Sequence, residues 1–227
     1  MRAPVVNYRS FRLNKLNDPE FSHLWFLLGW VLHFALYMFT EQLTPAAECH
    51  PVHMWLDDVI PFCEWFVIPY VLWYLFLAAT TVYFALYNPQ NLKRFMSYII
   101  IVMVISSIIY VVYPTRQDLR PTVFERENFC TWILGTLYGA DTSTGVCPSQ
   151  HVGYSVAMAA VWCREPSAKR WQKAFMVAFA VLIAASTCFV KQHSAVDTFA
   201  ALPVCLVAEL AVFGRSYWLP KFKRVKN

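Results

Sequence analysis

Six long apolar stretches, separated by short polar segments, dominate this chain of 227 residues. A transmembrane helix needs about 20 mostly apolar residues to cross a hydrocarbon layer ~30 Å thick. The stretches lack the alternation of apolar and polar residues that marks the strands of a membrane β-barrel. The sequence therefore predicts an all-α bundle of six transmembrane helices, covering residues 23–40, 60–87, 95–113, 151–162, 174–190 and 193–213.

The composition agrees with a membrane protein. Hydrophobic residues make up 58% of the chain and charged residues 15%, whereas soluble domains have roughly 45–50% and 25%. The same numbers exclude a disordered chain, which would be poor in apolar residues. Seven cysteines are too few and too scattered for a disulfide scaffold. We expect a membrane domain at 23–214, a cytoplasmic N-terminal segment at 1–22 and a basic cytoplasmic tail at 215–227.

The basic residues are distributed unevenly between the two sides of this six-span arrangement. Fifteen of the 19 lie in the N-terminal segment, the tail and the loops after spans two and four, all on one side. Basic loops stay in the cytoplasm, so we expect both termini inside, in a bacterial plasma membrane. The net charge of +5 is thus explained by the bilayer, and no nucleic-acid partner is expected. The four exceptions are Arg116, Arg120, Arg126 and Lys191.

Three polar segments fall at the outer ends of the predicted spans, at 113–121, 147–151 and 186–197. Polar groups so close to hydrocarbon are costly and usually functional. His193 and Asp197 are four residues apart, so a helix places them on one face. The carboxylate of Asp197 can then accept one imidazole N–H and leave the other nitrogen of His193 free, as in a nucleophilic triad. Arg126 lies outside these segments and is interpreted as a cation that contacts lipid headgroups.

The residues around this pair suit the chemistry of a phosphoryl group. His151 begins a span beside Ser149, and Arg116, Arg120 and Lys191 lie on the same side. Cations and hydroxyls stabilise the negative charge spread over the oxygens of a transferring phosphoryl group. One histidine can attack phosphorus while the other protonates the leaving oxygen, since the imidazole pKa is near neutrality.

With these segments in order, the chain resembles the type 2 phosphatidic acid phosphatase superfamily. The motifs of that family are K-x6-R-P, P-S-G-H and S-R-x5-H-x3-D. This sequence has Arg120 followed by Pro121, then Pro148-Ser149-Gln150-His151, then Ser186-x6-His193-x3-Asp197. The resemblance covers 116–197 and, through the span count, most of the chain.

The resemblance implies a role for each matching residue. His193 would be the nucleophile that forms a phosphohistidine, with Asp197 orienting it and His151 acting as the general acid. Arg120 and Ser149 would bind phosphate oxygens, and Ser186 would support their pocket. The family uses no metal ion or other cofactor, so none is expected here.

Three positions depart from the family motifs. Tyr113, Gln150 and Thr187 replace a lysine, a glycine and an arginine, so two phosphate-binding cations are missing. We expect Arg116 and Lys191 to replace them. Lys191 can do so only if the chain breaks between spans five and six, with its ammonium aimed at His151 and His193; otherwise it reaches lipid headgroups. With these departures, the chain resembles the branch of the superfamily that includes the inositol phosphorylceramide synthases.

The expected function is hydrolysis of a lipid phosphate or diphosphate ester at the outer leaflet, on a phospholipid or polyprenyl substrate. One alternative is transfer of a phospho-headgroup to a lipid or alcohol acceptor. A second is a non-catalytic membrane protein that binds anionic lipids.

Other polar residues leave alternatives open. Asp57, Asp58 and Glu64 either line the pocket or end a solvated loop, whereas His33 and Glu209 are expected to pack between helices. Two cysteine pairs could form disulfides if the outer face is oxidising, Cys130 with Cys147 and Cys49 with Cys63.

Overall fold

The computed structural model describes residues 4–225 of the chain, and side chains up to residue 223. Residues 1–3 of the predicted N-terminal segment and 226–227 of the predicted tail lie outside the described residues. Helices account for nearly all of the regular structure: α1 Leu28–Leu43, α2 Trp55–Val59, α3 Val67–Tyr87, α4 Pro89–Val112, α5 Phe129–Ala140, α6 Gln150–Cys163, α7 Arg170–Phe189, α8 Ala195–Phe213 and α9 Leu219–Val225.

Five helices among the described residues are long and apolar enough to cross a membrane. Counted with the short helical turns that continue them, they are Ser22–Leu43, Glu64–Tyr87, Pro89–Val112, Arg170–Phe189 and Ala195–Lys223. The all-α prediction is thus confirmed, and five of the six predicted spans correspond to these helices. The fourth predicted span forms α6, whose 14 residues extend only about 21 Å.

Helix α6 lies at the centre of the bundle. It packs against α3, α4, α7 and α8, and most of its residues are buried. The contact with α4 is close because position 153 has no side chain: a Cβ added to Gly153 would lie 2.5 Å from Cγ1 of Val102. Small residues allow such close approach between membrane helices. The central position of α6 explains how a helix too short to span a bilayer unaided still belongs to the bundle.

The connecting segments gather at two ends of the bundle. At one end, residues 44–66 and 113–149 meet, joined by two short parallel strands, β1 His50–Pro51 and β2 Thr115–Arg116. At the opposite end the N-terminal segment bonds to the end of α3, where the Val5 amide donates to the Leu86 carbonyl at 2.9 Å. The turn from α7 to α8 lies at the first end, where it contacts residues 57–63, and it contains His193.

Candidate active site

The third polar segment forms the turn before α8 and the first residues of that helix. Its His193 and Asp197 contact each other, although His193 precedes the Ser194 cap and lies outside the helix that was expected to contain both residues. Nδ1 of His193 lies 3.1 Å from Oδ2 of Asp197. The Ser194 side chain caps the helix, and its backbone N–H donates to the same carboxylate oxygen at 3.1 Å. Asp197 is fully buried and His193 is 7% exposed. Two donors on one buried carboxylate fix its rotamer, so the imidazole is held in one orientation.

His151 completes the cluster from the first turn of α6. Its Nδ1 lies 3.2 Å from Nε2 of His193, and its ring packs beside Tyr70 and Trp73, with centroids 4.9 and 4.5 Å away. Proton positions are assigned from such networks. With Nδ1–H of His193 donating to Asp197, Nε2 of His193 is an acceptor, and Nδ1–H of His151 donates to it. The two histidines and the aspartate therefore form one hydrogen-bonded chain.

The starts of α6 and α8 are fixed to each other by backbone contacts. Ser149 caps α6 with its side chain, and its N–H donates to the carbonyl of Asp197 at 3.0 Å. The Tyr110 hydroxyl of α4 donates to the Pro148 carbonyl at 2.6 Å. Ser149 and Ser186 are both fully buried, and the Ser186 hydroxyl donates to the Ile183 carbonyl at 2.8 Å. Both serines therefore act within the scaffold of the site in this structure.

The turn between α7 and α8 breaks the chain where the sequence analysis expects, but Lys191 points elsewhere. Helix α7 ends at Phe189, α8 begins at Ala195, and Lys191 has a left-handed backbone with φ of 53°. Its ammonium donates to the carbonyls of Asp57 and Ile60 at 2.9 and 2.6 Å. The expected ammonium in the His151–His193 pocket is not found, because the end of α2 offers carbonyls that no helical N–H satisfies.

Asp57 is a residue of this site that sequence analysis did not resolve. It is 5% exposed, and its two oxygens accept from the Ser194 hydroxyl at 2.5 Å and the Ala195 amide at 2.7 Å. A carboxylate at a helix N-terminus satisfies free N–H groups and is stabilised by the helix dipole. Asp57 thus holds the start of α8, while Asp58 is exposed. The signal available in the sequence was only the paired aspartates ahead of span two.

The two arginines of the first motif also bind backbone carbonyls. Arg116 donates to the carbonyls of Ala46 and Cys49 at 2.9 and 2.8 Å, so it connects segments 113–149 and 44–66 and does not supply the extra cation expected beside the histidines. Arg120 donates to the Asp141 and Thr142 carbonyls at 2.8 and 2.7 Å and to Oε1 of Gln192 at 2.6 Å. Gln192 immediately precedes His193, so Arg120 contacts the chain next to this histidine.

A cavity of about 310 Å³ opens beside the two histidines. It runs between α1, α3, α5 and α6, and Gln192, His151 and His193 form part of its wall. His33 of α1 also lines the cavity and lies 3.0 Å from the Tyr154 hydroxyl of α6, so it packs against a neighbouring helix as expected and in addition faces the cavity. A helix face turned towards a cavity has the same sequence pattern as one turned towards another helix.

The remaining candidates lie outside the cavity. Glu64 is buried and accepts from Nδ2 of Asn128 at 3.2 Å, and Glu209 is paired with Arg164. All seven cysteines are free thiols. Burial, reinforced by the charge of Asp197, raises the pKa of the Cys147 thiol to about 12. Within residues 4–225, no cluster of three or more histidine, cysteine or acidic side chains is placed to hold a metal ion.

Neither protein-family models, nor curated proteins, nor solved structures match this chain. Its function is therefore inferred from the geometry of the histidine–aspartate chain and from the sequence motifs.

Proposed function

We propose that this protein is a multi-pass membrane enzyme that cleaves a lipid phosphoric ester through a phosphohistidine on His193. The observation that carries the proposal is the buried chain Asp197–His193–His151, with contacts of 3.1 and 3.2 Å. A protein that only binds lipid has no use for a nucleophile oriented in this way. We further propose that α6 counts as a sixth pass and that the end bearing the histidines faces outward, as the distribution of basic residues favours.

The reaction proceeds in two steps, formation of the phosphohistidine and its hydrolysis. The lone pair on Nε2 of His193 attacks phosphorus, and the bond from phosphorus to the lipid oxygen breaks. That oxygen keeps the electron pair and takes a proton from Nδ1 of His151, which reacts as the imidazolium, protonated on both nitrogens, and becomes neutral. In the second step His151 removes a proton from water, the water oxygen bonds to phosphorus, and the N–P bond breaks, which returns the electron pair to His193.

Substrate must separate the two imidazoles. An attacking nitrogen lies about 3–3.5 Å from phosphorus, and a general acid lies within about 3 Å of the leaving oxygen. In-line attack therefore requires roughly 6–7 Å between the two reacting nitrogens, against 3.2 Å here. A phosphate group therefore has to displace His151 from Nε2 of His193 before the attack.

In the first candidate function, hydrolysis, water accepts the phosphoryl group. Transfer to an alcohol differs only in the second step, because a hydroxyl replaces water at the same position. Both candidates require His193, whereas a non-catalytic lipid-binding protein does not.

The test is turnover of a panel of lipid phosphates and phosphodiesters by purified protein, with free phosphate, water-soluble products and new lipids measured together. His193→Ala and His151→Ala should each lower turnover at least about 10²-fold. A ³²P-labelled substrate should give an acid-labile, base-stable phosphoprotein that His193→Ala lacks. Vanadate should inhibit, since it mimics the five-coordinate transition state, and EDTA should not.

The matched control is His53→Ala, because His53 lies on the outer surface with its side chain 49% exposed. It should turn over substrate like the unmodified protein. Near-normal turnover in His193→Ala, or strict dependence on added Mg²⁺, would reject the proposed mechanism.

A further inference from the structure

The cavity beside the histidines is rich in aromatic rings. Side chains from α1, α3, α4 and α6 supply them, chiefly Tyr37, Tyr70, Trp73, Tyr74, Tyr110 and Tyr154. Its volume of about 310 Å³ is at the low end of ligand sites, which measure roughly 300–1,000 Å³. A cavity of this size suits a lipid headgroup whose acyl chains stay in the bilayer.

The charged groups in the cavity wall are carboxylates. Glu41 near the end of α1 and Asp141 after α5 both line it, and within the described residues neither lysine nor arginine does. Glu41 accepts from the Thr142 hydroxyl at 2.5 Å and Asp141 from the Tyr37 hydroxyl at 2.8 Å. The nearest guanidinium, that of Arg120, also donates to backbone carbonyls and forms an ion pair with Asp141 at 4.0 Å. The hydroxyl donors orient both carboxylates. Arg120 offsets part of the charge of Asp141, whereas Glu41 has no ion-pair partner among the described residues.

This wall is unfavourable to a phosphomonoester. Such a group approaches two negative charges at neutral pH. Lys191 donates to backbone carbonyls, Arg116 to carbonyls and the Asp118 carboxylate, and Arg120 to carbonyls and the Gln192 side chain. A phosphodiester carries one negative charge. A quaternary ammonium on its headgroup would be attracted by both carboxylates and by the faces of the surrounding rings, the arrangement by which proteins recognise choline-like groups.

We propose that the cavity binds the quaternary ammonium headgroup of a zwitterionic phosphodiester lipid, such as a phosphatidylcholine; this assignment rests on the proposed function. His193 would then attack the phosphodiester and expel diacylglycerol, whose oxygen takes the proton of His151. The phosphocholine stays on His193 until water, or an alcohol, accepts it and restores the free imidazole.

The test compares dihexanoyl phosphatidylcholine with dihexanoyl phosphatidylglycerol, which has the same diester and acyl chains but an uncharged headgroup. Protein in a maltoside detergent avoids a competing charged headgroup. We expect kcat/KM for phosphatidylcholine to exceed that for phosphatidylglycerol by about tenfold or more. Equal values, or faster turnover of dihexanoyl phosphatidic acid or phosphatidylethanolamine, would overturn the headgroup assignment while leaving the phosphohistidine mechanism intact.

A binding measurement separates the two proposals. Calorimetric titration of His193→Ala protein with the same lipids should show the same preference for phosphatidylcholine without turnover. If this preference is present and the unmodified protein cleaves none of the lipids, the headgroup site stands and the proposed enzymatic function fails. If the preference is absent, the headgroup site is rejected whatever the turnover.

Two variants test the carboxylates. Glu41→Gln and Asp141→Asn keep the shape of each side chain, and each should lower the ratio of phosphatidylcholine to phosphatidylglycerol binding by roughly three- to tenfold. Glu48→Gln is the matched control, because Glu48 is exposed in the same outer segment and does not line the cavity. An unchanged ratio in both cavity variants would show that the carboxylates do not bind the headgroup.

Discussion

Lys191, in the turn before α8, combines a left-handed backbone with a buried ammonium. A left-handed backbone is unfavourable for a residue with a Cβ. Because Lys191 as a whole is only 8% exposed, its ammonium also needs hydrogen-bond acceptors within the protein. The carbonyls of Asp57 and Ile60 are these acceptors. The contacts fix the turn that positions His193, so the charge of Lys191 acts on the site through the backbone and not through a phosphate.

We therefore expect Lys191→Met to destabilise the protein by about 1.5–3 kcal/mol, because two carbonyls lose a charged donor. Turnover should fall as well, since the turn carries His193. Unfolding in detergent, followed by near-ultraviolet circular dichroism, measures the first effect. Lys15→Met on the exposed N-terminal segment is the control. Unchanged stability with lowered turnover would instead indicate direct contact between Lys191 and substrate.

Asp57 and Asp58 offer a matched pair at the same scale. Asp57 accepts from the Ser194 hydroxyl and the Ala195 amide, whereas the side chain of Asp58 is 71% exposed and pairs only with His53. Asp57→Ala should cost about 2 kcal/mol, near the upper range for loss of a helix cap, and should lower turnover by displacing His193. Asp58→Ala should stay within about 0.5 kcal/mol. Equal stabilities of the two variants would contradict the capping role.

At the scale of the helix, α6 depends on close packing against α4. A Cβ at position 153 would lie 2.5 Å from a methyl carbon of Val102, whereas nothing lies within 4 Å of a Cβ added to Gly139 in α5. Gly153 is half a turn from His151, so a displacement of α6 moves His151 as well.

Gly153→Ala should therefore destabilise the protein by about 1–3 kcal/mol, the usual cost of overpacking, and lower turnover. Gly139→Ala should be neutral or stabilising by up to about 1 kcal/mol, because alanine favours the helix and meets no neighbour. Thermal unfolding and turnover of both variants provide the comparison. A Gly153→Ala protein as stable and active as Gly139→Ala would show that α6 and α4 can separate without consequence.

At the scale of the whole molecule, Glu165 connects the start of α4 to the segment between α6 and α7, at the end of the bundle opposite the histidines. This carboxylate, between α6 and α7, accepts from Asn88 at 2.7 Å and Asn91 at 3.0 Å and from the Ser167 hydroxyl at 2.5 Å. Burial alone would raise the pKa of Glu165, but the hydrogen bonds from Ser167, Asn88 and Asn91 outweigh burial and hold the pKa below its ordinary value of 4.5.

Because the folded protein lowers this pKa, the ionised carboxylate stabilises the fold above about pH 4.5. The contribution is lost as the pH falls below 4.5 and through the folded-state pKa. Glu165→Gln should cost about 2 kcal/mol at pH 7 and should remove this part of the acid sensitivity. Denaturation curves between pH 3.5 and 7 would test it, with Glu48→Gln as an exposed control. Parallel pH profiles for Glu165→Gln and the unmodified protein would contradict this role.

The sequence by itself determined the membrane helices and identified His151, His193 and Asp197 as candidate site residues. Apolar runs specify membrane helices because unpaired backbone groups are too costly in hydrocarbon. The spacing of four residues suggested the contact between His193 and Asp197, but His193 precedes the Ser194 cap of α8, so the turn before the helix decides that contact. Only the tertiary structure decided what the cations bind and what lines the cavity. Lys191 and Arg116 are directed by carbonyls of Asp57 and Cys49, more than 60 positions away. Contacts between distant segments leave no periodic pattern, so they follow from packing alone.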